Sequence, residues 1–414
     1  MNIYFIGVGG VGIGPLAEIA LDNDYLVCGS DPDPSVMYHQ LESKGATLSI
    51  VQDGSFLRAC HNQTPLDWVV HTSGASDDNP DIVAARDLGI KVTKRDAFLS
   101  HILRERSLKL IAVAGTHGKT TTTAMLVWTL QQLGMPVSYS VGSKMSFGPS
   151  GAYDARSEYF VYECDEYDRN FLMYQPYLSL ITSIDYDHPD TYPSQDVYVE
   201  AFRTFAEQSE QVIGWRDQHG EILESHPDAW ILDTPIEIQI PGAHNRRNAT
   251  LVVKALEKLA VTEDPARVLE SFPGTSRRFE KLAENLYSDY AHHPTEIAAT
   301  LQLAHEVSDR IVVVYQPHQN IRQHELRGQY TTQFELADKI YWLPTYLSRE
   351  DPSLPIVTPE ELSSSLTNRD HVIITQPSEA LWDHIQRARD DGALVIIMGA
   401  GQIDAWVREQ IAAQ

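Results

Sequence analysis

A lysine and a run of hydroxyls stand at the end of an apolar stretch, "IAVAGTHGKTTTTAML", Ile111 to Leu126. The apolar run reads as a strand, the residues after Lys119 as a helix, and Gly115-Thr116-His117-Gly118-Lys119-Thr120 as the bend between them. Such a bend suits a polyphosphate. Backbone N–H groups around Gly115 and Gly118 cradle phosphate oxygens, the Lys119 ammonium neutralises β- and γ-phosphates, and a Thr120 or Thr121 hydroxyl holds Mg²⁺. The full G-x-x-x-x-G-K-[ST] pattern is not met, because Val113 stands at its first glycine. Four consecutive threonines are poor helix formers and point to a use beyond helix building. The alternative is a helix start rich in capping residues.

A second bend precedes it. Gly7, Gly9 and Gly12 fit G-x-G-x-x-G between a strand and a helix, and Asp31 ends the next strand. Glycines there permit a tight turn and let backbone approach a phosphate at a helix N-terminus. A dinucleotide, any other diphosphate nucleotide, or no ligand at all is compatible with this turn alone. A third group is acidic. "YECDEYD" supplies Glu163, Asp165, Glu166 and Asp168, and "IDYDHPD" supplies Asp185, Asp187 and His188, each at the end of an apolar strand. Strand carboxyl ends face the ligand crevice of an open α/β sheet, so carboxylate and imidazole there suit a divalent cation near a γ-phosphate. A solvated acidic loop with helix-capping Asp residues is the alternative.

The elements that must hold these groups are short apolar runs alternating with helical patterns. "IYFIGVGG", "YLVCGSD", "DWVVHTSGA", "KLIAVAG", "EYFVYECDE", "LSLITSID", "RIVVVYQP", "DKIYWLP", "HVIITQP" and "ALVIIMGAG" read as strands of parallel sheets covered on both faces. A charged seam near residues 101–109 and a Pro-Gly seam within 270–282 divide the 414 residues into 1–107, 108–273 and 274–414. Acidic residues outnumber basic ones 57 to 32, a formal charge of −25. That surface repels nucleic acid and anionic membranes, so a phosphate ligand needs a local positive pocket. The N-terminus "MNIYFIGVGG" lacks a basic leader region, and no apolar run reaches the roughly 18 residues of a membrane span. Cys28, Cys60 and Cys164 follow no disulfide or zinc spacing, and the expected compartment is the reducing cytoplasm. Cys164 reads as a small buried filler rather than a nucleophile.

"GVGGVGIG", "HTSGASDDNPDIVAARDLGI", "AVAGTHGKTTTT", "YECDEYD", "IDYDHPDTY", "PGAHNRRNA", "GTSRRFE", "SDYAHHPTE" and "YQPH" follow one another along essentially the whole chain. In this order they resemble the motifs of the Mur ligases, the ATP-dependent amino-acid ligases of peptidoglycan synthesis. The resemblance implies three α/β domains: a Rossmann-like UDP-sugar domain (1–107), a P-loop-type ATPase domain (108–273) and a Rossmann-like amino-acid domain (274–414). It implies ATP and Mg²⁺ (or Mn²⁺) as cofactors, UDP-N-acetylmuramate and L-alanine as substrates, and a monomer or homodimer. Gly9, Gly10 and Gly12 would hold the UDP moiety, with Ser30, Asp31, Thr72 and Ser73 nearby. Thr120, Glu163 and His188 would serve the metal.

In "PGAHNRRNA", His244 precedes Asn245 and Asn248, which would lie one helical turn apart and read an adenine edge. Of Arg277 and Arg278, the resemblance favours Arg278 as a phosphate-binding residue; linker arginines paired to acids such as Glu280 are the alternative. Tyr290 would stack on adenine and His292 face the acceptor, while His293 beside Pro294 suits a helix N-terminus. His318 and Arg322 follow a strand, and Arg322 could grip an amino-acid carboxylate by a bidentate pair. The alanine-adding branch has a second arginine where this chain has Gln319. No lysine occurs from Met145 to Val253. The carbamylated lysine of several Mur ligases is therefore missing, which agrees with the alanine-adding branch. A recycling branch that attaches a whole tripeptide is the nearest alternative, since "CDEYD" resembles it. An NAD-dependent oxidoreductase gives Lys119 no role, and the presence of Lys119, Glu163 and His188 weighs against a relative that only binds nucleotide sugar. The chain is short for the family, with the deficit between Phe205 and Ile240.

Overall fold

The computed structural model of the protein describes residues 1–188, 191–348 and 350–413, so Pro189 and Asp190 of "IDYDHPD" lie outside the described residues. The chain forms two compact units. One is Met1–Ile236 with Asn248–Pro273, the other Glu237–Arg247 with Gly274–Gln414.

The first unit contains two sheets. Strands β1 (Asn2–Ile6), β2 (Leu26–Ser30), β3 (Thr47–Ser49), β4 (Trp68–His71) and β5 (Lys91–Lys94) form a parallel sheet in the order β3-β2-β1-β4-β5. The strand order reverses beside β1, and the first glycine turn follows β1 at that switch point. The second sheet contains β6 (Lys109–Ala114), β7 (Ser138–Ser140), β8 (Gly151–Ala152), β9 (Tyr159–Glu163), β10 (Leu178–Ile181), β11 (Val212–Trp215) and β12 (Ala229–Leu232). Its order is β12-β11-β10-β6-β9-β7-β8, parallel except at β7–β8. Leu110 to Ala114 of β6 are all buried, as an unbroken apolar run in a doubly covered sheet requires. The register pairs Val113 with Glu163 and Ala114 with Ile181, which brings three segments to one edge: the phosphate bend, the acidic cluster and Thr182–His188.

The two sheets are fastened to each other. Glu18, 1% exposed on the helix Gly14–Asp22, accepts the Gly151 N–H at 3.0 Å, and Asp22 accepts the Tyr153 N–H at 3.1 Å. Any Cβ at Gly151 would run into the Pro15 backbone. The Tyr174 hydroxyl donates to buried Asp96 at 3.0 Å.

The second unit has one sheet of β13 (Glu280–Ala283), β14 (Leu286–Asp289), β15 (Ile311–Tyr315), β16 (Lys339–Trp342), β17 (Val372–Ile374) and β18 (Leu394–Met398). The order is β13-β14-β18-β15-β16-β17, parallel except for the β13–β14 hairpin. Segment Glu237–Arg247, assigned by sequence to the middle domain, counts with this unit. Glu306 accounts for it, taking the Gly242 N–H at 2.9 Å and both arms of Arg246 at 2.8–2.9 Å.

Every apolar run read as a strand is one. Strands β3, β5, β7, β8, β11, β12, β13 and β14 are not announced by such runs. Two of them, β11 and β12, lie in the abbreviated stretch between Phe205 and Ile240, which still extends the second sheet on the β10 side. Among the described residues no helix is long and apolar enough to cross a membrane.

Candidate active site

The phosphate bend is built by two glycines that no other residue could replace. Gly115 has φ +135°, and a Cβ there would lie 2.8 Å from the Ser183 carbonyl oxygen; Gly118 has φ +83° and starts the helix Lys119–Gln132. The bend is pinned to the segment after β10. Thr116 N–H donates to Ser183 O at 3.0 Å, and its hydroxyl donates to Asp185 O at 2.7 Å and accepts from Asp185 N–H at 2.9 Å. The His117 N–H donates to Ser183 Oγ at 2.9 Å. Thr116 therefore spends its side chain shaping the loop. The threonine run divides likewise: Thr122 and Thr123 are buried in the helix, and Thr123 bonds back to Lys119 O at 2.8 Å. Only Thr120 of the four is bonded to the acidic cluster, donating to Glu163 Oε1 at 2.7 Å, while Glu163 Oε2 takes the Gly142 N–H at 2.7 Å.

Lys119 turns inward. Its ammonium donates to Gly115 O at 2.6 Å, to Thr116 O at 3.2 Å and to Glu166 Oε2 at 2.7 Å. Glu166 is fully buried, with His188 Nε2 at 3.5 Å from its other oxygen. Burial opposes charge on all three groups, and the mutual pairing outweighs it: Lys119 and His188 are raised and Glu166 is lowered. His188 holds φ +58°, a left-handed backbone that costs energy and presents its ring to Glu166. Glu166 is the residue that sequence reasoning left without a role. Its signal was present, a carboxylate three residues beyond Glu163 in the same acidic motif.

These groups fit a divalent cation. The Thr120 hydroxyl and Glu163 carboxylate are hard oxygen donors. Asp165, Glu166 and His188 place ligand atoms within 4.8 Å of one another. Glu163 and His188, expected on one metal, thus fall in two neighbouring groups. Asp168 is occupied otherwise, by Lys94 Nζ at 2.6 Å. Cys164 is buried with its thiol pushed well up by desolvation, as a filler would be.

The first glycine turn is held by bonds to its own surroundings. Ser30 is fully buried and donates to Asp81 at 2.6 Å, which also takes the Tyr4 hydroxyl at 3.1 Å and the Gly54 N–H at 2.8 Å. Asp31 accepts the Gly9 N–H at 2.8 Å and the Asp33 N–H at 2.9 Å, so its carboxylate braces the turn. The Gly10 N–H donates to Gly7 O at 3.1 Å. Thr72 packs on Gly7, and the buried Ser73 hydroxyl has no partner among the described residues.

The asparagines on helix Ala243–Lys258 differ in use. Asn245 bonds to Pro241 O at 3.0 Å, whereas buried Asn248 lies against Gly118, 2.8 Å from where its Cβ would be. In the second unit, Arg277 donates to Gly399 O at 2.6 Å, and both Arg277 and Arg278 lie over the Tyr290 ring, 4.6 and 5.1 Å from its centre. Tyr290 is thus stacked by guanidinium groups. His293 caps helix Pro294–Val307 in a capping box with Glu296, its structural alternative. His292 Nδ1 faces Tyr290 O at 3.1 Å and Glu296 at 3.3 Å, both acceptors, so Nδ1 carries a proton. The His292 and His318 rings lie 6.0 Å apart, and His318 stacks on Tyr346. Arg322 sits on the following helix, Asn320–Leu326, whose first N–H groups are held by Glu350 at 2.9–3.3 Å. Gln319, at the departure from the alanine-branch pattern, has φ +62°.

A buried lysine–carboxylate–histidine group beside a glycine phosphate bend, with a second glycine turn in the same unit, defines a nucleotide-using α/β enzyme of the Mur ligase kind. The family models agree: "Mur ligase family, catalytic domain" matches residues 2–107, "Mur ligase middle domain" 113–233 and "Mur ligase, glutamate ligase domain" 277–401. The chain belongs to the Mur ligase family. It is 31% identical to a UDP-N-acetylmuramate–L-alanine ligase of Legionella pneumophila over 97% of this chain and 94% of that one. A ligase of the same name from Nocardioides sp. is 32% identical over 98% and 94%. Among solved structures, the UDP-N-acetylmuramate-alanine ligase of Thermotoga maritima superposes with a TM-score of 0.79 at 25% identity, covering 100% of this chain and 99% of that chain.

Proposed function

We propose that the protein joins the lactyl carboxylate of UDP-N-acetylmuramate to L-alanine at the expense of ATP. The observation that carries this is the Lys119–Glu166–His188 group at the phosphate bend, in a chain similar along its length to ligases of that name. A carboxylate does not acylate an amine at neutral pH, because oxide is too poor a leaving group. Its oxygen attacks the γ-phosphorus of ATP, ADP departs, and an acyl phosphate forms. The neutral amine of alanine then attacks the acyl carbon, phosphate leaves, and one proton is lost from nitrogen.

This chain's residues serve charge and position. The Gly115–Gly118 bend and Lys119 offset negative charge on the transferring phosphoryl group, most effectively where water is excluded. To do so Lys119 exchanges its bond to Glu166 for phosphate oxygens, leaving Glu166 to His188. A magnesium ion held by Thr120 and Glu163, and by the Asp165–Glu166–His188 group, would supply further neutralisation. In the second unit His292 is the candidate for taking the ammonium proton. Arg278 and Tyr290 are assigned to ATP, and His318 and Arg322 to the acceptor.

Phosphate release decides the acceptor. Purified protein with ATP, Mg²⁺ and UDP-N-acetylmuramate is offered L-alanine or the murein tripeptide. Phosphate release with alanine supports the proposal. Turnover with tripeptide alone transfers the reading to the recycling branch, and no ADP with either acceptor overturns it.

A further inference from the structure

At the start of helix Arg95–Glu105 a guanidinium lies on the first glycine turn without a hydrogen bond among the described residues. The Arg95 side chain is 16% exposed, and its Nε is buried and unpartnered. The nearest carboxylates are Asp96, 3.7 Å from Nε, and Asp165, 3.6 Å from Nη2. Both distances exceed hydrogen-bond range. Asp96 accepts instead from Tyr174, and Asp165 takes the Tyr167 N–H at 3.2 Å. Nη1 is so close to Gly12 that a methyl group there would overlap it. The turn also leaves donors unused: Gly9 and Gly10 N–H are bonded internally, but those of Val11 and Gly12 bond to nothing among the described residues. Nearly all buried donors in folded proteins are satisfied, so a guanidinium whose Nε is buried and unpartnered among the described residues calls for an acceptor.

We propose that Arg95 binds the diphosphate of the nucleotide sugar at the first glycine turn, with Asp165 as the competing partner it leaves when the ligand arrives. The proposal rests on reading that turn as the UDP site. A diphosphate presents paired oxygens that match the planar fork and lie within reach of the unused turn amides. Gly12 then has a purpose beyond turning the chain, since any side chain would displace the guanidinium.

Calorimetric titration of UDP and UMP into the full-length protein, Arg95→Ala, Arg95→Lys and Asp165→Asn tests this, with thermal unfolding to verify folding. Arg95→Ala is expected to weaken UDP roughly 10- to 100-fold, as loss of charge-assisted hydrogen bonds does, and UMP by less. Arg95→Lys recovers part of the loss, because a point charge replaces the fork. Asp165→Asn tightens UDP severalfold by removing the competitor. Unchanged UDP affinity in folded Arg95→Ala overturns the proposal. If that variant does not fold, unchanged affinity in both other variants overturns it. A parent protein that binds no UDP overturns the reading of the turn itself, and the proposal with it.

Discussion

After β1, Asp31 is closed onto the Gly9 N–H and Ser30 onto buried Asp81; after β6, Lys119, Glu166 and His188 are closed onto one another. Both are strand–glycine–helix bends in one unit, and both have satisfied most of their polar groups without a ligand. The partners differ in kind. In the first turn neutral donors meet carboxylates, and the buried one, Asp81, also bonds Tyr4 of β1 and the Gly54 amide, so these bonds persist with the fold. In the second, an ammonium, a carboxylate and an imidazole neutralise each other, and each can be exchanged for a group of the same charge on a ligand. A mobile set of charges suits chemistry, and a fixed set of hydrogen bonds suits the frame around it.

The contrast is broken most sharply at Lys119. Lys119→Ala is expected to reduce turnover about 10³-fold or more, the scale of losing a main stabiliser of transferring charge, while calorimetry finds UDP binding retained. Near-parental turnover would remove the distinction between the two bends. Asp81→Ala acts on the other side. It strands three buried donors and should cost about 2–4 kcal/mol in urea unfolding, with kcat of the folded fraction within about twofold of parent. Ser30→Ala should cost only about 1 kcal/mol and leave the KM for UDP-N-acetylmuramate unchanged; a large rise in KM would return Ser30 to the substrate.

The smallest expected effect calibrates a paired carboxylate remote from phosphate chemistry. The hydrogen bond from Arg246 holds the Glu306 carboxyl down to about 2. A depressed native value adds stability that is complete above the unfolded carboxyl's value of about 4.3 and fades as pH falls toward 2. Glu306→Gln should therefore melt below the parent at neutral pH, with the gap narrowing below about pH 4. A gap that stays constant with pH would assign the difference to something other than this pair.

How much was legible from sequence follows the same division. Lys119, Thr120, Glu163 and His188 are announced by residue types that have few cheap uses at a strand end. His293 is announced by Pro294 and Glu296, which complete a local cap. Ser30 and Asp31 stand at a strand end suited to a ligand, but their bonds to Asp81 and the Gly9 amide were not visible, because those partners lie 51 and 22 residues away. Glu166 was visible only as one acid among four, because its pairing with Lys119 depends on how β6 and β9 register. Arg95 carried no motif at all; what marks it is donors without acceptors, which no sequence pattern displays. Strand β8, two residues long, has no periodicity to detect, and its place is set by Glu18 and by the absence of a side chain at Gly151.

The attachment of Glu237–Arg247 to the second unit bears on any attempt to dissect the molecule. A fragment ended at the Pro-Gly seam, after residue 273, would carry those eleven residues away from Glu306. The Gly242 amide and the Arg246 fork would face solvent, and helix Ala243–Lys258 would fray from its N-terminal end. The complementary fragment would leave Glu306 with Gln302 and without Gly242 and Arg246. Neither half is a natural excision product, and working pieces would have to be made by splicing rather than by a single cut.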